Sequence, residues 1–161
     1  MSKLHDFVEK VKAELADLQA EILEIRPLLH KLETSEPDPV EIRAVATTLH
    51  AFYSGVERIF LLIAKDIDNQ IPQSIHWHRD LLAQMKNSSK QRPRVIDQGL
   101  YDILADYLGF RHFFRHGYPT RLEWQTMEPL TKALIETSRQ YIEQVTGFIA
   151  ELKNQTTKGK P

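Results

Sequence analysis

The 161-residue chain has no cysteine, which excludes disulfides and thiolate metal ligands and suits a reducing compartment. Long apolar runs are missing too. The longest, "IFLLIA", falls far short of the ~20 residues needed to span a bilayer. The N-terminus, "MSKLHDFVEK", is charged and amphipathic and lacks the apolar core and small-residue cleavage site of a secretory signal. Strand patterning is almost absent, because apolar residues recur at helical spacing nearly everywhere. There is no phosphate-cradling glycine loop, no G-x-S-x-G elbow and no paired-carboxylate motif. These absences point to a soluble cytoplasmic protein, all-α, with no membrane association.

What is present fits one core. Residues 1–153 read as a single up-and-down bundle of about five helices, and residues 154–161, "NQTTKGKP", as a flexible tail. In the first helix Leu4, Val8, Val11, Leu15, Leu18, Ile22, Ile25, Leu29 and Leu32 alternate steps of four and three. Such a stripe presents one narrow seam to a neighbouring helix or to a partner subunit, and Pro27 lies off it and bends the helix. Asp38, Pro39 and Glu41 form a capping box that opens the second helix, which ends near "NQIP". Ser74 caps a third helix, and Pro93 fits the start of a fourth that runs to about His116. Gly117 suits a left-handed C-terminal cap, and Pro119 forbids continuation. Thr120 and Glu123 read as a capping box for a fifth helix ending near Lys153.

Net charge is −1, but its distribution is uneven. Met1 to Ile75 holds 8 Lys/Arg against 13 Asp/Glu, whereas His76 to Arg121 holds 8 against 4, with four of the seven histidines. A basic middle third is either a footprint for an anionic partner or a solvated face.

The densest chemistry is in "GFRHFFRHGYPT", Gly109 to Thr120. Arg111, His112, Arg115 and His116 crowd into six positions at a helix end. Three explanations compete. A helix C-terminus welcomes cations because they face unpaired carbonyls, with Phe113 and Phe114 then serving as core. His112 and His116, four apart, have the spacing of paired metal ligands, although no carboxylate accompanies them and two arginines would repel a cation. The third explanation is an anion site with acid–base capacity. Arginine offers a permanently charged fork for phosphate oxygens, and histidine exchanges protons near neutral pH. Together they meet the needs of metal-independent RNA cleavage: a base for the 2′-hydroxyl, an acid for the departing 5′-oxygen, and charge facing the phosphorane. Two difficulties stand against it. On an ideal helix Arg111 and His116 lie about 140° apart. One histidine also serves poorly as both acid and base, and two chains meeting at this helix end would supply a pair.

Arg111, four residues, His116, one residue, Tyr118: this pattern resembles the signature of the HepT toxins, within the HEPN superfamily of helical domains. The helical order, the motif near the end of the fourth helix and the long helix after it agree with that resemblance over about residues 1–153. It implies a homodimeric, metal-independent endoribonuclease toxin that cuts cellular RNA, transfer RNA in some members, and needs no cofactor. It also implies an MNT-type nucleotidyltransferase antitoxin that attaches AMP to the motif tyrosine. Arg111 would then bind or polarise phosphate, His116 would be the main catalytic residue, and Tyr118 the modified one. One departure is that many superfamily members carry Asn or Asp after the motif arginine, where this chain has His112. The alternative function is a non-catalytic helical nucleotide- or substrate-binding module that partners a nucleotidyltransferase.

Other residues extend the candidate site. Glu57, four residues after Tyr53 on the second helix, is placed either to orient Arg111 or to lie in solvent near Arg58. His112, Arg115 and Tyr53 are further candidates for support. In "SIHWHRD", Trp77 could stack a base and Arg79 meet phosphate, with packing the competing role for Trp77. Around "KNSSKQRPR", Lys90, Arg92 and Arg94 are candidate RNA contacts or simply a solvated loop.

Overall fold

A computed structural model describes residues 2–159, which form five α-helices and one 3₁₀ turn; Met1, Lys160 and Pro161 lie outside them, including the last two residues of the expected tail. The helices are α1 (Lys3–Lys31), α2 (Pro39–Asp66), α3 (Trp77–Met85), α4 (Gln98–His116) and α5 (Trp124–Lys158), with the 3₁₀ turn at Pro119–Arg121. No helix among the described residues is long and apolar enough to cross a membrane.

Periodicity explains α1. Val8, Val11, Leu15, Leu18, Ile22 and Ile25 are buried, and Leu4 and Leu29 pack against the core cluster they belong to. Pro27 is accommodated inside the helix. The seam is covered by α2 and α5 of the same chain. It is therefore not the dimer surface that sequence left open.

α2 is the hub, touching α1, α3, α4 and α5. A helix with neighbours on so many sides must be apolar around most of its circumference. Val45, Leu49, Phe52, Val56, Ile59, Phe60 and Ile63 are accordingly fully buried. Its start is the expected capping box: the Asp38 carboxylate accepts from the Glu41 N–H at 2.8 Å, and Glu41 accepts from the Asp38 N–H at 3.1 Å. Its end is made by Asn69, at φ 53°, a left-handed conformation that Asn tolerates better than most residues. That reversal lets Gln70 donate back to the Ala64 carbonyl at 2.9 Å. Buried tyrosines tie the layers together. Tyr107 of α4 donates to the Leu130 carbonyl at 2.7 Å, and Tyr141 of α5 donates to the Val56 carbonyl at 3.1 Å.

Five local expectations are corrected. α3 begins at Trp77, because Ser74 spends its hydroxyl on the His76 N–H and the Asp80 carboxylate. α4 begins after Asp97, not at Pro93. The intervening Val95 and Ile96 plug the core, and Asp97 is locked by the Leu100 N–H and a reciprocal pair with Gln144 of α5. Gly117 is extended (φ −113°, ψ 163°), not left-handed. What favours glycine there is space, since an added Cβ would meet the Phe113 carbonyl oxygen at 3.2 Å. Thr120 caps nothing: Tyr118 and Pro119 carbonyls close the 3₁₀ turn, and α5 starts at Trp124 without a side-chain cap. α5 also passes Lys153 and continues to Lys158.

Arg92 is corrected as well. It is 3% exposed and unavailable to RNA. Its guanidinium grips Asp68 with Nε at 2.6 Å and Nη2 at 3.0 Å, and also donates to the carbonyls of Gln84, Asn87 and Pro93. All five donors are used to pin the α3–α4 loop to the end of α2. Removing one partner strands a buried charge, which costs about 3–5 kcal/mol. Arg92→Ala should therefore lower the urea midpoint by that equivalent. A variant as stable as the parent would show that the loop does not depend on this pair.

Candidate functional site

α4 separates two grooves. One, of about 800 Å³, lies towards the start of α5, between residues such as Phe110, Phe113, Met127 and Leu130, and contains no histidine. The other, of about 690 Å³, runs between α3 and α4. Three arginines (Arg79, Arg111, Arg115), four histidines (His76, His78, His112, His116), Trp77 and Tyr101 line it. Among the described residues no carboxylate does. The second groove is the one equipped for chemistry on an anion.

Arg111 and His116 both line this groove despite the angle between them on the helix. The two do so differently. Arg111 points inwards, its side chain only 12% exposed, with Nη2 3.5 Å from the Glu57 carboxylate and Nε donating to the Ser54 hydroxyl at 3.2 Å. His116, in the last turn of α4, is exposed. His112 and Arg115 are exposed beside it, with the His112 and His116 rings 4.5 Å apart. A fixed guanidinium at the base and free imidazoles at the rim follow from one fact: the helix turns Arg111 towards α2 and the others towards solvent.

Glu57 is buried on α2 and does face Arg111, one of the two placements open from sequence. It has a second partner that sequence did not single out. His78 Nδ1 lies 2.7 Å from the other carboxylate oxygen of Glu57. Trp77 stacks on the His78 ring with centroids 3.5 Å apart, and is part buried while still lining the groove. Packing and lining are thus compatible roles. Tyr53 is fully buried one turn before Glu57, and its hydroxyl has no hydrogen-bond partner among the described residues. Burial raises its pKa, with Glu57 adding to the shift and Arg111 opposing it.

The remaining candidates are spread out. Arg79 is exposed in the groove wall. Lys90 and Arg94 are exposed on the α3–α4 loop, outside the groove lining. Tyr118 is 72% exposed and stands outside the lining, its ring 6.0 Å from the Arg121 guanidinium. Phe114 packs on the core and faces the His50 ring at 5.0 Å, but Phe113 is 46% exposed and so is not a core residue.

Two participants besides His78 went unread: His50 and Ser54. The spacing His50, Ser54, Glu57 places three polar residues on one face of α2, and that was the available signal.

An all-helical bundle with a basic, histidine-rich groove at the end of its fourth helix defines a class of small helical domains. Residues 44–152 match the model of a family described as HepT-like protein. The match covers most of the chain, which therefore belongs to the HepT-like family, toxins of the HEPN superfamily. No curated protein and no solved structure matches it.

The site's electrostatics can be read through His50. Its pKa is lowered from 6.5, first by partial burial and then by the Arg111 and Arg115 guanidiniums. Removing a nearby positive charge makes protonation easier. In an NMR titration His50 should titrate below 6.5, and Arg115→Ala should move it upwards. An unchanged or lower value would place Arg115 away from His50.

Proposed function

We propose that the protein is the toxin of a toxin–antitoxin pair and a metal-independent endoribonuclease acting on cellular RNA, with transfer RNA a candidate substrate. The observation that carries this reading is the groove in which three arginines and four histidines converge without a lining carboxylate. Such a surface attracts a polyanion and repels a divalent cation. Family membership supports the same reading.

The chemistry asked of the groove is internal transesterification. The 2′-oxygen attacks phosphorus, the 5′-oxygen leaves, and charge builds on the non-bridging oxygens. Arg111, already oriented by Glu57 and Ser54, supplies fixed positive charge to those oxygens without reorganising. His116, exposed in the same groove, exchanges protons with the substrate. Arg115 and Arg79 extend the phosphate track, and Trp77 offers a face on which a base can stack. Lys90 and Arg94 add sequence-independent, salt-sensitive attraction. Homodimerisation at the end of α4 would bring a second copy of these groups to the substrate.

The antidote is an MNT-type nucleotidyltransferase that transfers AMP to Tyr118. The phenol is exposed enough to be reached by another enzyme's active site. An added nucleotide brings bulk and negative charge to a position two residues beyond the end of α4, opposing RNA by sterics and repulsion.

Purified protein incubated with total RNA in EDTA tests the proposal. Cleavage should fall by about 10²–10⁴-fold in His116→Ala and about 10²–10³-fold in Arg111→Ala, with RNA binding retained. All-deoxy substrate should survive. Undiminished cutting by His116→Ala, or cutting of DNA, would remove the mechanism. Incubation with the partner and ATP should add AMP mass at Tyr118, and labelling elsewhere would remove that antidote.

A further inference from the structure

A single histidine cannot readily take the proton from the 2′-oxygen and deliver one to the 5′-oxygen in the same turnover. We propose that His78, held by Glu57, is the second proton carrier: the base for the 2′-hydroxyl, with His116 the acid for the leaving oxygen. This rests on the ribonuclease reading above and adds to it a catalytic residue on a different helix.

The tautomer carries the argument. His78 Nδ1 and a carboxylate oxygen of Glu57 are 2.7 Å apart, a distance at which the nitrogen must donate to the carboxylate. Arg111 Nη1 is 3.4 Å from the same nitrogen, but a guanidinium accepts nothing and a protonated nitrogen cannot accept from it. The two are donors converging on one acceptor. In the neutral ring the proton therefore sits on Nδ1, and Nε2 bears the free lone pair. Nε2 has no partner among the described residues and is not among their buried unpartnered atoms, so solvent reaches it. The ring lines the groove that His116 also lines.

Once Nε2 has taken a proton, the imidazolium has a negative partner. Glu57, 6% exposed, faces one edge at short range, where little water screens the attraction. The indole of Trp77 covers a face of the ring, an arrangement that favours a cation. Arg111 opposes, with Nη1 3.4 Å from Nδ1, but its Nη2 lies 3.5 Å from that same carboxylate, which offsets its charge. Glu57 thus plays the orienting part that a carboxylate plays behind a catalytic imidazole, fixing tautomer and direction. It is a positioning residue for both Arg111 and His78.

The step balances. The 2′-O–H proton passes to His78 Nε2 as the 2′-oxygen–phosphorus bond forms, Arg111 faces the charge on the phosphorane, and the phosphorus–5′-oxygen bond breaks as His116 gives its proton to that oxygen. The products are a 2′,3′-cyclic phosphate and a 5′-hydroxyl, and exchange with water resets both rings.

The test compares the parent, His78→Asn and His116→Ala on a short RNA and on the same RNA with sulfur replacing the scissile 5′-oxygen. Asn keeps a donor for Glu57 and so protects the fold, but cannot carry the proton. Sulfur leaves without protonation, so it bypasses the acid alone. The expected result is a loss of about 10²–10⁴-fold for each variant on normal RNA. On the sulfur substrate His116→Ala should recover and His78→Asn should not. Cleavage by His78→Asn within threefold of the parent, with His116→Ala inactive, would overturn the role of His78 and leave the ribonuclease reading standing. Recovery of His78→Asn by sulfur, or failure of His116→Ala to recover, would overturn the division of labour. Intact RNA with the parent protein would take down the ribonuclease reading and this inference together.

Discussion

One buried carboxylate organises the groove. Glu57 sits on the hub helix, among side chains that exclude water, and its charge has to be answered there. Arg111 from α4 and His78 from α3 answer it, one to each oxygen. Because both partners arrive from other helices, the pairing fixes α3 and α4 relative to α2. The groove between α3 and α4 inherits its shape from that constraint. Removing Glu57 would leave the Arg111 guanidinium and the His78 ring facing each other without the acceptor they share, so the same residue that orients the site also holds it together.

Around this buried negative centre the exposed polar side chains of the lining are arginine and histidine alone. Arg79, Arg115, His112 and His116 meet solvent, while the carboxylate lies behind them. The arrangement separates two jobs that would conflict at the surface. Orientation needs a negative partner, but attraction of a polyanion needs a lining without one. Burying Glu57 satisfies both. The Arg92–Asp68 pair does comparable work for the loop that leads into α4, with no part in the groove.

Local signals account for what was legible beforehand. The three-four alternation of α1 and the Asp38–Pro39–Glu41 start of α2 depend on neighbours in sequence, and both read correctly. So did the end of α4 at His116. Misreadings arose where distant residues decided the outcome. Pro93 looked like a helix start, yet Val95 and Ile96 are drawn into the core and Gln144 of α5 holds the true start at Asp97. Arg92 looked like any loop cation until Asp68, 24 residues away, claimed it. Glu57 was a candidate because it follows Tyr53 by one turn of the second helix, but nothing in "SIHWHRD" said which of its two histidines would turn towards it. That choice is made by packing of α3 on α2.

On the proposed function, RNA lies in the groove between α3 and α4. The most direct test of that placement is an NMR titration with a 2′-O-methyl RNA, which binds but cannot be cut. Shifts should concentrate on the Trp77 indole N–H, the Arg111 and Arg115 side chains and the His116 ring, and weaken together as salt rises. Shifts confined to the outer face of α1 or to α5, with those signals unmoved, would contradict the account.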